Sequence, residues 1–161
     1  MNIRILQPED WMLWKTLRLE AIVQNSESFA SSLEEEQNCP DDQFQNWLRN
    51  STIFGAFIEN CLIGTAGFFV FGAMKERHRG MLFSVYISPQ YRHHGIANEL
   101  VAQAIEKARG HVIQLHLKVV STNDTAVTLY QRHGFKIYGT EPRSLKIGDQ
   151  FFDEHLMVLY L

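Results

Sequence analysis

The stretch Ser88–Leu100, "SPQYRHHGIANEL", lies where one hydrophobic pattern gives way to another. Before it, apolar and small residues alternate from Met81 to Ile87, which is typical of a strand. After it, apolar residues recur every three to four positions from Ile96 to Ala108, which is typical of a helix. The sequence therefore predicts a strand, a basic loop of small residues, and a helix that begins at once.

A metal site is the first interpretation of this loop, because it contains His93 and His94. Adjacent loop residues rarely converge on one ion, however, and His111 and His116 are spaced to point to opposite faces of a predicted strand. The sequence contains no HxxxH, HExxH or CxxC pattern to complete a site. We therefore expect no metal.

A sharp turn explains Gly95 alone, whereas a phosphate site explains the whole run from Arg92 to Asn98. The N–H groups at the start of a helix lack intrahelical partners, and the helix dipole favours an anion there. Gly95 and Ala97 leave room for close approach, and Arg92 would supply charge at the rim. A Rossmann-type site would need a G-x-G-x-x-G run, and this stretch has one glycine.

The rest of the chain predicts an α/β fold with a mixed sheet, in the order βααβββαβαββ. The two strands Thr52–Ile58 and Leu62–Phe71 form a hairpin closed near Glu59-Asn60. Residues 25–38 are polar and acid-rich, and we interpret them as a loop or a broken helix. The chain shows no repeat or linker, so we expect one domain over residues 1–161.

Composition narrows the classes of function. The chain has 161 residues, 45% hydrophobic and 20% charged, with a net charge of -3, which argues against a nucleic-acid binder. Its apolar runs are too short to span a bilayer, and its first residues lack a secretory signal, so we expect no membrane association. Cys39 and Cys61 are interpreted as free thiols in a reducing cytoplasm, with a disulfide as the alternative.

The charges are distributed unevenly along the sequence. Residues 1–74 carry four Lys/Arg and ten Asp/Glu, whereas residues 75–161 carry eleven and eight. The basic part suits an anionic small ligand, and the acidic part suits a cationic one. Chance scatter over a solvated surface explains the same numbers equally well.

Two motifs resemble those of a known family. "RHHGIA", Arg92–Ala97, matches the R/Q-x-x-G-x-G/A signature of the GNAT acyltransferase superfamily, which binds the pyrophosphate of acetyl-CoA. "NDTAVTLYQRHGF", Asn123–Phe135, resembles the second signature, and the order of elements is similar over essentially the whole chain. Ala97 stands where Gly is commoner, and two histidines replace the usual Arg, Gly or Lys. The resemblance implies a mostly antiparallel twisted sheet flanked by helices, with acetyl-CoA as cosubstrate and no metal.

The resemblance also implies roles in binding acetyl-CoA. The backbone of residues 85–87 would pair with the pantetheine arm, and one of its N–H groups would stabilise the oxyanion. The loop amides would hold the pyrophosphate. Asn123 would bind the pantetheine or simply cap a helix, and Tyr130 would serve as general acid, where a packed core tyrosine is the alternative. The cofactor-binding set is Val85, Tyr86, Ile87, Arg92, His93, His94, Gly95, Ile96, Ala97, Asn98, Asn123 and Tyr130.

The acceptor side is less defined. An amine with a pKa near 10.4 must lose a proton to a carboxylate, directly or through water. "SFASSLEEE" lies where the acceptor-side loop of the family falls, although an acidic run is also typical of a solvated face. The last hairpin carries "FFDE", whose adjacent carboxylates point to opposite faces, so at most one lines the pocket. The catalytic candidates are Tyr130, Glu34 and Glu35, or else Glu36, and the substrate-binding candidates are Phe29, Glu34, Phe152, Asp153 and Glu154.

We therefore expect a cytoplasmic N-acetyltransferase. It would transfer acetyl directly from acetyl-CoA to a primary amine of a small molecule, protein or peptide in a ternary complex, because Cys39 and Cys61 lie in no Cys/His arrangement for a covalent intermediate. The acidic first half leans toward a cationic acceptor. The alternative is a non-catalytic acyl-CoA-binding regulator on the same fold. A homodimer, common in the family, is left open.

Overall fold

The computed structural model describes all residues, Met1–Leu161. One seven-stranded sheet runs through it in the order β1-β2-β3-β4-β5-β7-β6. Every neighbouring pair is antiparallel except β4 and β5, which are parallel, so the predicted mixed, mostly antiparallel sheet is confirmed. The strands are β1 (Asn2–Ile5), β2 (Thr52–Ile58), β3 (Cys61–Val70), β4 (Arg79–Ile87), β5 (Gln114–Val120), β6 (Lys136–Ile147) and β7 (Gln150–Tyr160).

Five α-helices flank the sheet, one more than the predicted order contains. The additional helix is five residues long and lies within residues 25–38. Ser32 starts it through a capping box, in which Ser32 Oγ accepts from Glu35 N at 3.1 Å and Glu35 Oε2 accepts from Ser32 N at 2.8 Å. The helices are α1 (Trp11–Gln24), α2 (Leu33–Gln37), α3 (Asp41–Asn50), α4 (Ile96–Ala108) and α5 (Asp124–Arg132).

The two faces of the sheet bury separate hydrophobic clusters. On one face α4 packs its apolar stripe, including Leu100 and Val101, over the central strands. On the other face α1 and α3 bury Trp14, Phe44 and Tyr86. No helix combines the length and the apolar character needed to cross a bilayer.

Strands β4 and β5 are paired only at their beginnings. The parallel register joins Arg79–Met81 to Gln114–His116, although both strands continue well beyond these residues. A bulge in β4 lies where they separate, because Ser84 and Val85 together face one residue of β3, and Ser84 has a φ of +54°. A bulge bends and twists its strand. The two strands therefore diverge, and residues 85–87 have no backbone partner on the β5 side.

Candidate functional site

The loop after β4 presents a group of unpartnered amides. Gly95 is the N-cap of α4 and has a φ of +77°. The first N–H of this helix start with a backbone acceptor is that of Glu99, which donates to the Gly95 oxygen at 3.1 Å. The N–H groups of residues 93–98 have no backbone acceptor. A Cβ at Gly95 would meet nothing within 4 Å, so the positive φ, rather than crowding, favours glycine. Such a helix start is an anion-binding site.

The Arg92 side chain is bound within the protein, whereas the sequence predicted a free charge at the rim of the loop. Its Nε donates to the Ile87 oxygen at 3.0 Å, and its Nη2 donates to Asn25 Oδ1 at 2.9 Å. Its guanidinium also lies 5.6 Å from the centre of the Tyr86 ring. Arg92 therefore ties the loop to the end of α1, and the backbone amides, rather than this guanidinium, are the donors left without partners.

The two loop histidines, His93 and His94, contribute backbone amides to the loop, and their side chains form no metal site. Both side chains are exposed, and His94 Nδ1 lies 3.3 Å from the Tyr91 oxygen. His93 has a φ of +66°, which turns the chain into the helix start. No cluster of three or more His, Cys, Asp or Glu side chains able to hold a metal is present.

Asn123 and Tyr130 both belong to α5. Asn123 caps this helix, since its Oδ1 accepts from Ala126 N at 3.2 Å, and its Nδ2 is unused. The Tyr130 side chain is 8% exposed and packs edge-on against Phe135, with ring centres 6.0 Å apart. Burial raises the pKa of the Tyr130 hydroxyl, and no protein group shares its proton. The hydroxyl therefore stays protonated at neutral pH and can donate.

The β4 bulge is held by side chains of α1. Ser84 Oγ accepts from Trp14 Nε1 at 3.3 Å and from Arg18 Nη1 at 3.4 Å, and the Ser84 carbonyl oxygen accepts from Thr65 Oγ1 at 2.8 Å. Trp14, Arg18 and Ser84 were not among the candidate site residues that the sequence indicated. The spacing of Trp14 and Arg18, one helical turn apart, was the available signal.

The comparisons with known proteins agree with this geometry. Residues 18–135 match the family model described as Acetyltransferase (GNAT) family. The chain belongs to the GNAT acetyltransferase family. The resemblance found in the two sequence motifs is thereby confirmed.

Solved structures share the fold of this acetyltransferase over its whole length. An acetyltransferase of the GNAT family from Streptococcus pneumoniae is 26% identical, with a TM-score of 0.88 and 99% of each chain covered. A ribosomal-protein-alanine N-acetyltransferase from Brucella melitensis is 24% identical, with a TM-score of 0.86 and 100% of each chain covered. The yncA protein from Salmonella typhimurium, solved with its cofactor acetyl-CoA, is 18% identical, with a TM-score of 0.87, covering 100% of this chain and 94% of its own. No curated protein matches the sequence.

The acidic run Glu34–Glu36 of this GNAT acetyltransferase lies on the short helix α2, and only one of its three carboxylates is buried. Glu34 and Glu35 are exposed, and Glu35 is occupied by the cap of its own helix, whose N–H and hydroxyl donors lower its pKa. Glu36 is the buried member, 2% exposed, and forms a salt bridge with Arg18. Successive helical residues point about 100° apart, so only one of the three faces inward. Glu34 is therefore an exposed carboxylate and Glu35 is engaged in a helix cap, and the choice of either as a catalytic carboxylate stays a prediction.

Tyr86 lies between the bulge and the acceptor-side loop. Its hydroxyl donates to Glu20 Oε1 at 3.0 Å, and burial, with help from Glu20, raises its pKa to about 12. Phe29 packs edge-on against it, with ring centres 6.4 Å apart. The structure thus brings Phe29 to β4, whereas it leaves the neighbouring Glu34 in solvent.

The "FFDE" segment lies on β7, with its carboxylates on opposite faces. Glu154 faces Val120 across the β5–β7 pair, and this register places it on the same face of the sheet as Phe83 of β4. Asp153 points to the other face, where its Oδ1 accepts from Arg143 N at 2.8 Å. Glu154 Oε1 accepts from Ser144 Oγ at 2.5 Å. The remaining candidate, Phe152, shares the Glu154 face by strand alternation and is half-buried.

A cavity of about 410 Å³ opens on the face that Phe83 shares with α1 and α3. It lies between α1, α3, β3 and β4, directly before the bulge. A second cavity, of about 450 Å³, lies at the β1–β2 edge, three strands from the opening between β4 and β5. The first cavity is lined by Trp14, Arg18, Ser31, Trp47, Asn50, Ser51, Phe69, Val70 and Phe83.

Proposed function

We propose that this protein transfers the acetyl group of acetyl-CoA directly to a primary amine of a small molecule, protein or peptide. The observation that carries the proposal is the continuity of two unpartnered backbone segments. Residues 85–87 lack a partner on the β5 side, and the amides of residues 93–98 follow within one short loop. One segment suits an extended pantetheine arm and the other its pyrophosphate.

Different residues of these two segments and of α5 bind different parts of acetyl-CoA. The amides of residues 93–98 hold the pyrophosphate, with Gly95 setting the turn. The backbone of Val85, Tyr86 and Ile87 pairs with the pantetheine, as an added strand pairs with an edge. Asn123 adds a hydrogen bond from Nδ2 while Oδ1 keeps capping α5. The acetyl carbonyl then lies near the β4 bulge.

The transfer requires one bond to form and one to break. The neutral amine attacks the thioester carbon, and an N–H of residues 85–87 stabilises the oxyanion that develops on the carbonyl oxygen. Collapse breaks the C–S bond, and Tyr130 donates its hydroxyl proton to the departing thiolate. The nitrogen loses a proton to water, and Tyr130 recovers one from solvent, leaving an amide and CoA thiol.

Water is the first acceptor of the ammonium proton in this proposal. Glu36 is the buried carboxylate nearest the bulge, and it is already bound to Arg18 by a salt bridge. An amine of pKa near 10.4 is about 0.4% neutral at pH 8, and this neutral fraction can attack without an enzyme base. The rate should then rise with pH.

Direct transfer is favoured over a covalent acyl-enzyme. Both cysteines are free thiols, and burial, with Glu36 nearby, raises the pKa of Cys39, which reduces its thiolate fraction. Cys61 is exposed at the start of β3 and lies in no Cys/His arrangement for a covalent intermediate. Two free thiols also support the proposed cytoplasmic location. We further propose that residues 1–161 form a single domain.

The alternative is a regulator that binds acyl-CoA without turnover, and one experiment separates the two functions. Calorimetry measures the binding of acetyl-CoA, and thiol release is followed with polyamines, amino acids, aminoglycosides and peptides that begin with alanine. The alanine peptides are included because the Brucella melitensis protein is named for that acceptor. Binding with amine-dependent thiol release supports the enzyme. Binding without release for every amine supports the regulator, and no binding overturns both.

A further inference from the structure

The cavity of about 410 Å³ shares its inner wall with the β4 bulge. Phe83 lines the cavity and directly precedes Ser84 in β4. Trp14 and Arg18 also line it, and both donate to Ser84 Oγ. A molecule held in the cavity therefore lies against the residues that set the shape of the strand on which acetyl-CoA is proposed to bind.

Four of the nine residues that line the cavity are aromatic. Phe69 and Phe83 pack edge-on with ring centres 5.4 Å apart, and Trp14 and Trp47 do so at 6.2 Å. Val70 completes the apolar lining. Cavities of roughly 300–1,000 Å³ with apolar walls and few polar groups are typical small-molecule sites. This cavity has room for one ring system or a branched aliphatic group.

Arg18, Asn50 and Ser51, three of the polar residues that line the cavity, already make polar contacts within the protein. Arg18 is its one charged lining residue, and it is paired with Glu36. Ser51 Oγ donates to the Trp47 oxygen at 2.5 Å, and Asn50 Nδ2 donates to the Asn46 oxygen at 2.9 Å. No carboxylate lines the cavity, so a second ammonium group would have no anion to pair with there.

We infer that this cavity is the acceptor pocket, and that the acceptor is a monoamine with a ring-sized or branched apolar body. The inference rests on the proposed function and adds the substrate class. Strand residues rise about 3.3 Å each, so Val85 lies only about 7 Å along β4 from Phe83. An amine two or three bonds from an apolar body in the cavity would reach the proposed position of the thioester.

This inference narrows the leaning toward a cationic acceptor that the acidic first half suggested, because it favours an acceptor with one ammonium group over a polyamine. The acids that gave that leaning are engaged or in solvent: Glu36 pairs with Arg18, Asp10 pairs with Arg4, and Glu35 caps α2. A polyamine would have to place a second ammonium beside Arg18 or against aromatic walls while losing water. That arrangement is unfavourable without a paired anion.

The first test compares three amines at saturating acetyl-CoA: 2-phenylethylamine, ethylamine and spermidine. Burying a phenyl ring should raise kcat/KM for 2-phenylethylamine about tenfold or more over both of the others. If spermidine or ethylamine is acetylated equally well, the pocket inference is wrong while the proposed function stands. If acetyl-CoA does not bind in calorimetry, the proposed function itself fails, so the two failures are distinguishable.

The second test fills the cavity without touching the buried core. Asn50 is exposed and lines the cavity, whereas Arg49, on the same helix, is exposed and does not. Asn50→Trp should raise KM for 2-phenylethylamine about fivefold or more, leaving KM for ethylamine and the Kd of acetyl-CoA unchanged. Arg49→Trp should change none of the three. Equal effects of both variants, or an unchanged KM in Asn50→Trp, would contradict the assignment.

Discussion

Trp14 Nε1 donates a hydrogen bond to Ser84 Oγ over 3.3 Å, which ties helix α1 to the bulged residue of β4. Ser84 has a φ of +54°, a conformation that costs free energy for a residue other than glycine. The hydroxyl compensates by accepting from Trp14 and from Arg18. The opening between β4 and β5 and the aromatic cavity therefore depend on the same contacts.

Replacing Ser84 by alanine should destabilise the protein by about 1–3 kcal/mol, because the buried Trp14 N–H loses its acceptor. Urea unfolding, followed by circular dichroism, measures the change in free energy of unfolding. Ser28→Ala is the matched control, since Ser28 is exposed, and its effect should stay within about 0.5 kcal/mol. Equal stability of the two variants would show that the Ser84 hydroxyl contributes nothing.

Gly95→Glu should abolish acetyl-CoA binding while the chain remains folded, because the carboxylate would repel the pyrophosphate at the helix start. Gly148→Glu is the control: Gly148 also has a positive φ, +59°, and open space around its Cβ position, but it lies in the β6–β7 turn. Both variants carry the same kind of backbone strain, about 1 kcal/mol. Calorimetry should detect acetyl-CoA binding for Gly148→Glu alone. Retained binding in Gly95→Glu would refute the anion site.

Glu36→Gln should cost about 3–5 kcal/mol, because it leaves the half-buried Arg18 charge without its partner. Glu35→Gln should change stability by less than about 0.5 kcal/mol, since glutamine also serves in a capping box. Glu35→Gln and Glu34→Gln should retain kcat. Unfolding curves and thiol-release rates on the three variants test this. A folded Glu34→Gln or Glu35→Gln enzyme with lost activity would restore that carboxylate as the base.

Local patterns predicted the strands and most of the helices well, including the strand, loop and helix around Arg92–Ala97. Strand β2 has the predicted bounds, Thr52–Ile58, and the hairpin closes at Glu59-Asn60, both with positive φ. For Gly95 the sequence suggested a sharp turn or room for a phosphate, and the structure shows a left-handed residue with a φ of +77°. Each of these features depends on a few consecutive residues.

The contacts that shape the site could not be predicted in the same way. Ser84 meets Trp14 across 70 positions, and Arg92 meets Asn25 across 67. Periodicity assigns a residue to a face, but it does not name the partner that covers that face. The acidic run shows the limit most clearly: with residues 25–38 interpreted as a loop or a broken helix, nothing fixed the helical phase that buries Glu36 and exposes Glu35.

Stability should fall as the pH falls from about 7 to 5, partly because of His133. Its Nε2 is buried without a partner, and burial lowers its pKa. Between the folded pKa and the unfolded value near 6.5, the unfolded chain binds more protons, so the stability contribution present at neutral pH is lost as acid is added. Urea unfolding at several pH values should show a smaller loss for His133→Leu than for the parent. An identical loss in both proteins would contradict this role of His133.

Tyr130→Phe should lower kcat by about 10²-fold or more, because the thiolate would leave without its proton donor. Stability should change by less than about 0.5 kcal/mol, since the hydroxyl has no protein hydrogen-bond partner, and KM for acetyl-CoA should be nearly unchanged. Tyr138→Phe is the control, because Tyr138 is exposed on β6 and its hydroxyl lies 3.3 Å from His116 Nδ1. Burial raises the pKa of Tyr130, so the parent rate should climb from pH 7 to 9 as the amine deprotonates, with no alkaline decline. A Tyr130→Phe variant with full kcat would show that Tyr130 is not the general acid. A decline in rate at alkaline pH in the parent alone would show that Tyr130 ionises far more easily than its burial allows.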